Sequence, residues 1–527
     1  MNSLEEEQTI NEKIINEKME KFNILLGRAN FDAKEYQREG LEWCLRKELS
    51  RNETSKGGIV ADEMGLGKTL TLIGLMFINF KRRTLIVVPP VLLDQWAKEI
   101  FKCSGHRALK YHGANKKLIT EKQLLASPIV LTTYNMLLTL KGSVKLIKGN
   151  KETENKETKE TKEIENMLTN IKWNRVIFDE AHHLRNKRTE RFRSCEKLQS
   201  KIKWLISGTP IQNKRSDLYN LFKIIGITNA KQENIKEYAE QYILRRTKAE
   251  VGINLPPVIK NMKQVQWANN YEKSMAEELH ALLPNQTHVF RSLDMNSELA
   301  DVFEGKGILT AIMKARQSCI MPSLLIPDII RQLQEGELEE PKNYIRALKS
   351  NSKLDAVIQL ILSRKDNGNG KIIFCHFRKE IDLIAKRLRN GGLQKVVTYD
   401  GRNSRTGINL ADAADAIVLQ IQTGCEGLNL QANFSEIYFV SPHWNPCVED
   451  QAIARCHRIG QVKPTYVFKF EMTGFKTDEE RKQKQIENED TSDNEEDNEN
   501  KQEQSLESYV NSVQKFKRSL ISEIIKQ

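Results

Sequence analysis

Between Gly57 and Thr69 the chain reads GGIVADEMGLGKT, a glycine-rich turn between an apolar strand pattern and an apolar helical pattern, with a lysine and a hydroxyl at its mouth. That combination is suited to cradling phosphates. Gly65 and Gly67 let backbone amides turn inward, Lys68 can reach β and γ phosphates, and the Thr69 hydroxyl can ligate magnesium. The general phosphate-loop pattern has glycine where Asp62 stands, so the match is not literal. Asp62, Gly65, Leu66, Gly67, Lys68, Thr69 and Leu70 are expected to line a nucleotide.

About a hundred residues later, Arg175 to Glu180 (RVIFDE) puts two adjacent carboxylates at the end of an apolar strand pattern. Strand ends are where parallel α/β sheets bind ligands. Asp179 is expected to hold the magnesium, usually through water, and Glu180 to orient and deprotonate the water that attacks the γ phosphorus. Ala181 and His182 complete the tetrad DEAH, with His182 placed beside the nucleotide. Near the other end of the chain, QAIARCHRIGQ sets Arg455 and Arg458 three apart, on one face of a helix or helical turn, with Gln451 counted among the catalytic residues.

The elements needed to position these groups follow from periodicity. Residues 1 to about 30 read as a charged helix, and FDAKEYQREGLEWCLRKE as an amphipathic helix bearing Tyr36 and Gln37. TLIVVPPVLLDQW is a continuous apolar strand that stops at Pro89 and Pro90 and yields to a helix, and LTTY (Leu131 to Tyr134) is a further strand end. Strands alternating with helices predict a parallel sheet covered on both faces. KIIFCHFRKEIDLIAKRLR, VVTYDG and AIVLQIQTGCEGLNL repeat the alternation in the second half. Between Lys141 and Met167 a low-complexity run with nearly balanced charge reads as a solvated insertion or a charged helix.

The motifs DEMGLGKT, FDEAHHLRN, LISGTPIQN and QAIARCHRIGQ, in that order, resemble those of the Swi/Snf-type DNA-dependent ATPases of helicase superfamily 2, from Tyr36 to about Phe470. SPHWNPCVEDQAIARCHRIGQ looks most like the subgroup of helicase-like transcription factor, transcription termination factor 2 and the Rad-type repair translocases. The resemblance implies an α/β fold of two RecA-like lobes, with parallel sheets covered by helices and a helical protrusion region between the lobes. It implies an N-terminal helical extension (1–30), lobe one (31–255, with the charged insertion at 141–167), protrusions (256–345) and lobe two (346–475). An acidic disordered segment (476–504) and a C-terminal helix (505–527) follow.

By the same resemblance Gln37 borders the adenine, and Ser207 to Pro210 couples the phosphate site to DNA contact. Leu244 to Lys248 leaves lobe one. ATP and Mg2+ are the implied ligands, with Arg455 and Arg458 serving as arginine fingers across the cleft between the lobes. DNA contacts are implied at Pro90, Thr132, Thr133, Thr423, Gly424, Gly427, Asn429 and Trp444. Cys425 stands where the family usually has glycine, which alters that turn's amide geometry.

Composition is compatible with this reading. The 527 residues carry +12 overall, but Asp478 to Gln504 holds twelve acids against four bases, a local net of −8 that leaves +20 on the remainder. A basic body suits a polyanion. No secretory signal or bilayer-spanning apolar run is present, and the eight cysteines show no CxxC pair or zinc spacing. Only Cys319 lies between Pro210 and Lys371, which argues against an inserted zinc-binding RING module. The partners expected are double-stranded DNA and chromatin or other DNA-bound proteins, with no membrane and no zinc, in the nucleus or a viral replication compartment. An ATP-dependent double-stranded DNA translocase that remodels or displaces bound proteins is the leading expectation. A strand-separating DNA or RNA helicase is the alternative, and a non-catalytic DNA-binding scaffold the third.

Overall fold

The structure, a computed structural model, describes residues 2–29, 33–50, 55–138, 140–144, 160–164, 166–211, 215–281, 306–335, 341–402, 414–424, 428–475 and 505–525. The chain divides into two compact units, Met1–Asn254 with Leu520–Gln527, and Leu255–Ser519.

Continuous apolar runs in the first unit become strands buried on both faces. They are β1 (Lys56–Val60), β2 (Thr84–Val88), β3 (Leu109–Tyr111) and β4 (Ile129–Thr133), followed after β5 (Leu140–Val144) and β6 (Glu160–Ile164) by β7 (Trp173–Phe178), β8 (Ser200–Ile206) and β9 (Ile243–Leu244). Seven of them form a parallel sheet in the order β3-β4-β2-β7-β8-β1-β9. Alternate residues of β2 enter opposite cores: Leu85 and Val87 join one apolar cluster, Ile86 and Val88 the other. Both faces therefore need helical cover. On one of them α1 (Asn2–Ala29), α2 (Glu35–Leu49), α3 (Lys68–Ile78) and α4 (Leu93–Ser104) pack together, with Phe22 of α1 lying over Gly74 of α3, where a Cβ would meet its ring at 2.7 Å.

All seven strands run the same way, so the residues after β1, β7 and β8 emerge along one edge of the sheet. That edge carries Ala61 to Lys68, Asp179 with Glu180, and Ser207 to Pro210.

At the ends of the 141–167 run the structure has a strand pair rather than the charged helix offered as an alternative. β5 and β6 pair antiparallel, with Leu140 opposite Ile164 and Lys141 opposite Glu163. Residues 145–159, like the acidic run at 476–504, lie outside the described residues.

The second unit holds a six-stranded parallel sheet in the order β10-β15-β14-β11-β13-β12, built from β10 (Val258–Val265), β11 (Gly370–Cys375), β12 (Val396–Tyr399), β13 (Ala416–Gln420), β14 (Phe434–Phe439) and β15 (Thr465–Met472). In β11, Ile372 and Phe374 enter one core while Ile373 and Cys375 enter the other. Helices at Asn270–Ala281, Lys306–Ile320, Ile326–Gln334 and Pro341–Ala347 stand between β10 and the helix Ser352–Ser363. The architecture is thus two α/β lobes on parallel sheets, with a helical region between them in sequence. Among the described residues no helix is long and apolar enough to cross a membrane.

Candidate active site

After β1 the chain turns through Gly65 and Gly67, both at positive φ (93° and 84°), and Gly67 caps α3 in the left-handed conformation. A side chain at 67 would be strained by that φ and would strike the Gln37 amide, so two separate constraints call for glycine. Lys68 and Thr69 are the first two residues of α3, which presents the amides of its N-terminus toward the loop. Lys68 Nζ donates to the Asp62 and Glu63 carbonyls at 2.8 and 3.3 Å. Leu66 is buried and Leu70 partly buried.

Gln37 lies beneath this turn in α2. Its Nε2 donates to the Leu66 carbonyl (3.3 Å), and its Oε1 accepts from the Lys34 amide (3.1 Å). The residue expected to border adenine thus also ties α2 to the phosphate loop.

At the end of β7, Asp179 is buried and held from two sides. Trp96 Nε1 donates to its Oδ2 at 2.6 Å, and the Glu180 amide donates to its Oδ1 at 2.9 Å. Tyr134 Oη donates to the Asp179 carbonyl at 2.6 Å. Burial, then the neighbouring Glu180 charge, push the Asp179 carboxyl up to about 7, against the opposing Trp96 bond, and Lys68 acts electrostatically on the same carboxyl. The lysine and the carboxylates therefore share one site.

Glu180 is the only non-glycine among the described residues at positive φ (49°). A left-handed glutamate costs about 1–2 kcal/mol, and such strain concentrates where side-chain placement matters more than stability. Its Oε2 stands 3.2 Å from His182 Nδ1. On the neighbouring strand end, a Cβ at Gly208 would meet Met64 at 3.0 Å and Lys68 Nζ at 3.5 Å, which brings the SGTP turn up to the lysine.

In the second unit the helix Pro446–Ala454 carries Gln451 and is capped by Arg455, whose carbonyl accepts from the Leu430 amide. Gln451 is buried, and its Nε2 has no hydrogen-bond partner among the described residues. Burial, then the charge of Arg455, push the Arg458 guanidinium down from its ordinary pKa, as expected for two cations brought close together. Arg458 Nη1 donates to Asn429 Oδ1, and Asn429 is exposed.

The residues named for DNA contact divide. Pro90 is exposed at the head of a 3-10 turn. Thr132 and Thr133 correct the expectation: both are fully buried in β4, Thr132 Oγ1 donates to the Tyr111 carbonyl (2.9 Å), and Thr133 Oγ1 lies 3.1 Å from His112 Nδ1. Hydroxyls engaged inside the sheet are not presented to a phosphate. Trp444 is half-buried, with the C-terminal helix Leu506–Ile525 against it and Lys517 Nζ 5.2 Å from its ring centroid. Thr423 and Gly424 close the short helix Ile421–Gly424, and Gly427 lies outside the described residues.

Two residues that bond these carboxylates were not singled out in the sequence, Trp96 at Asp179 and Arg246 at Asp62. The signal for Arg246 was the acid pair Asp62–Glu63 at the phosphate loop, which needs counter-charges and finds them in LRRTK: Arg246 Nη2 stands 2.6 Å from Asp62 Oδ2, and Lys248 Nζ 2.9 Å from Glu63 Oε1.

The donor set also fits magnesium. A buried carboxylate raised in pKa by an adjacent carboxylate gains from a divalent cation. No cluster of three or more His, Cys, Asp or Glu among the described residues could hold a metal by itself. Magnesium needs no such cage, since it keeps waters and takes one or two carboxylates plus substrate phosphates. Thr69 and Asp179 would supply the oxygen donors.

Residues 36–235 match the SNF2-related domain and residues 352–460 the helicase conserved C-terminal domain, together more than half of the chain. A "Probable global transactivator" of Orgyia pseudotsugata multicapsid polyhedrosis virus is 28% identical, over 82% of this chain and 85% of that protein. "DNA excision repair protein ERCC-6-like" of Danio rerio is 24% identical over 82% of this chain and 34% of its own length. "Protein CHROMATIN REMODELING 24" of Arabidopsis thaliana is 27% identical over 86% and 45%. The chain thus spans most of the viral relative but less than half of the other two. A solved Sulfolobus solfataricus SWI2/SNF2 ATPase core in complex with dsDNA is 22% identical, covering 94% of this chain and 97% of that one, with a TM-score of 0.37. With the two domain matches in the family's order and the phosphate loop and DEAH tetrad on one sheet edge, the chain belongs to the Swi/Snf-type ATPases of helicase superfamily 2.

Proposed function

We propose that this protein is an ATP-driven translocase on double-stranded DNA that displaces or remodels proteins bound there, in the nucleus or, if virally encoded, in a replication compartment. The meeting of Lys68, Asp179 and Glu180 on one sheet edge carries the hydrolytic part of this reading. The relatives named for excision repair and chromatin remodelling support DNA as the track.

ATP lies with its phosphates over Gly65 to Thr69 and its adenine beside Gln37. Lys68 leaves the Asp62 and Glu63 carbonyls for the β and γ phosphates, and Thr69 and Asp179 hold the magnesium. A magnesium ion held there would offset the charge of the phosphates. Glu180, fixed by its left-handed backbone and steadied by His182, orients the attacking water and takes its proton. Arg455 and Arg458 add positive charge at the transferring phosphoryl group, a contribution of about 10³ to 10⁵ in rate where such fingers act. Lys68, Asp179 and Glu180 belong to one compact unit, and Arg455 and Arg458 to the other.

ATP turnover measured with duplex DNA, single-stranded DNA and RNA tests this. Stimulation by duplex DNA, with displacement of a bound protein and no strand release, is the expected result. Relatives in Mycoplasma named ATP-dependent helicases favour the second reading, strand separation. Release of a labelled strand from a duplex would establish it, and equal stimulation by RNA would defeat the duplex-DNA reading.

A further inference from the structure

We infer that Arg246 is a positioning residue for the phosphate loop, setting the place from which Lys68 meets the nucleotide. This rests on the reading of Gly65 to Thr69 as the phosphate cradle. Arg246 Nε and Nη2 donate to Asp62 Oδ1 and Oδ2 at 3.1 and 2.6 Å, a two-pronged grip on a carboxylate that is only 2% exposed. Its Nη1 donates to the Tyr36 carbonyl and lies 3.6 Å from Glu39 Oε2, and its guanidinium carbon stands 5.7 Å from the Tyr36 ring centroid. One side chain therefore joins the start of α2, the residues before the phosphate turn and the segment leaving β9.

The backbone repeats the connection. The Ala61 amide donates to the Leu244 carbonyl (2.7 Å) and the Glu63 amide to the Arg246 carbonyl (2.8 Å), while Lys248 grips Glu63 with both its amide (2.8 Å) and its ammonium (2.9 Å). The dipeptide Asp62–Glu63 is thus clamped through its side chains, and it offers its two carbonyls to Lys68 Nζ. Loosening the clamp moves the carbonyls, and with them the lysine. Lysine cannot replace the arginine, because it lacks the planar fork that meets both carboxylate oxygens.

Gly40 in α2 provides an independent handle. A Cβ there would come within 2.5 Å of Arg246 Nη2 and 3.3 Å of Leu244. Glycine inside a helix normally costs about 1 kcal/mol relative to alanine, so Gly40→Ala should stabilise α2 unless Arg246 is in the way. It disturbs the guanidinium without adding or removing a charge.

The test is equilibrium titration with a fluorescent ATP analogue and magnesium, with melting temperature followed in parallel. Arg246→Gln and Arg246→Lys should each weaken binding about tenfold to a hundredfold, the usual effect of losing a residue that supports a ligand-binding group. Gly40→Ala should weaken binding in the wild-type background and have little effect in the Arg246→Gln background. Equal loss from Gly40→Ala in both backgrounds would overturn the inference. So would Arg246→Gln binding within about twofold of wild type while Lys68→Ala binds poorly. If Lys68→Ala itself binds like wild type, the phosphate-cradle reading fails first.

Discussion

The indole N–H of Trp96, in α4, donates to Oδ2 of Asp179 at the end of β7 across 2.6 Å, and both side chains are buried. With the Glu180 amide on Oδ1, this bond fixes the orientation of the Asp179 carboxylate. Trp96→Phe keeps the ring in the core and deletes only the donor. A hydrogen bond to a charged group contributes about 1.5–3 kcal/mol, so turnover should fall roughly tenfold to a hundredfold, and half-maximal activity should need more magnesium. Steady-state ATPase rates over a magnesium series check this, and an unchanged magnesium requirement would leave Trp96 as core packing only.

Lys68→Ala and Glu180→Gln should abolish hydrolysis while leaving DNA binding largely intact, because neither change alters a strand or a core contact. Loss of a positioned general base costs about 10² to 10⁴ in rate. Radiolabelled ATP turnover and a duplex-DNA mobility shift, run on the same preparations, separate the two properties.

The left-handed backbone of Glu180 (φ 49°) allows the strain to be measured. Glu180→Gly should be as inactive as Glu180→Gln yet more stable than it by about 1 kcal/mol, since glycine adopts that conformation without strain. Thermal unfolding of the two variants gives the difference. No gain from glycine would mean the site holds no such strain.

Glu380 supplies the pH dependence. Its Oε2 accepts the His376 and Phe377 amides at 2.9 Å each, but burial pushes the carboxyl from an ordinary value near 4.5 up to about 7. A raised acid pKa means that the folded state holds its proton more tightly than the unfolded chain does. Stability is therefore unaffected below about pH 4, falls as pH rises from about 4.5 to 7, and is flat above. The loss is at most about 3 kcal/mol. Glu380→Gln keeps the two amide bonds and removes the charge. It should match wild type near pH 5 and melt several degrees higher at pH 8; equal melting at pH 8 would contradict this.

Lys353 and Glu507 form an ion pair at 2.5 Å that is almost wholly shielded from water, and Gln514 and Arg518 of the same C-terminal helix bond to Glu449 and Asp450. Removing one member of a buried pair leaves a charge uncompensated, at a cost of about 3–5 kcal/mol. Glu507→Gln should therefore lower the melting temperature by roughly 6 °C or more, and Lys353→Met with Glu507→Leu should recover part of the loss.

The parts of the site legible in the sequence were those built from contiguous residues. The phosphate turn, its glycines, the start of α3 and the carboxylate pair ending β7 each lie within a few residues, where backbone sterics and strand or helix periodicity act directly. The two sheets were legible for the same reason, since strands buried on both faces are written as unbroken apolar runs such as TLIVV and RVIF. Thr132 and Thr133 were misread because a hydroxyl at a strand end looks alike whether it faces solvent or a neighbouring strand, and here β3 takes the Thr132 hydroxyl. For Trp444, nothing in the sequence signalled that a helix more than sixty residues further along the chain packs against it.

The sequence by itself determined the kind of chemistry and the strand ends that carry it, because residue type and local spacing settle which groups can bind phosphate, hold a cation or take a proton. Only the tertiary structure decided which side chains orient those groups. Trp96 reaches Asp179 across 83 residues and Arg246 reaches Asp62 across 184. Such pairs form when strand order and helix packing bring distant segments together, and nothing in the local spacing of either partner encodes the meeting.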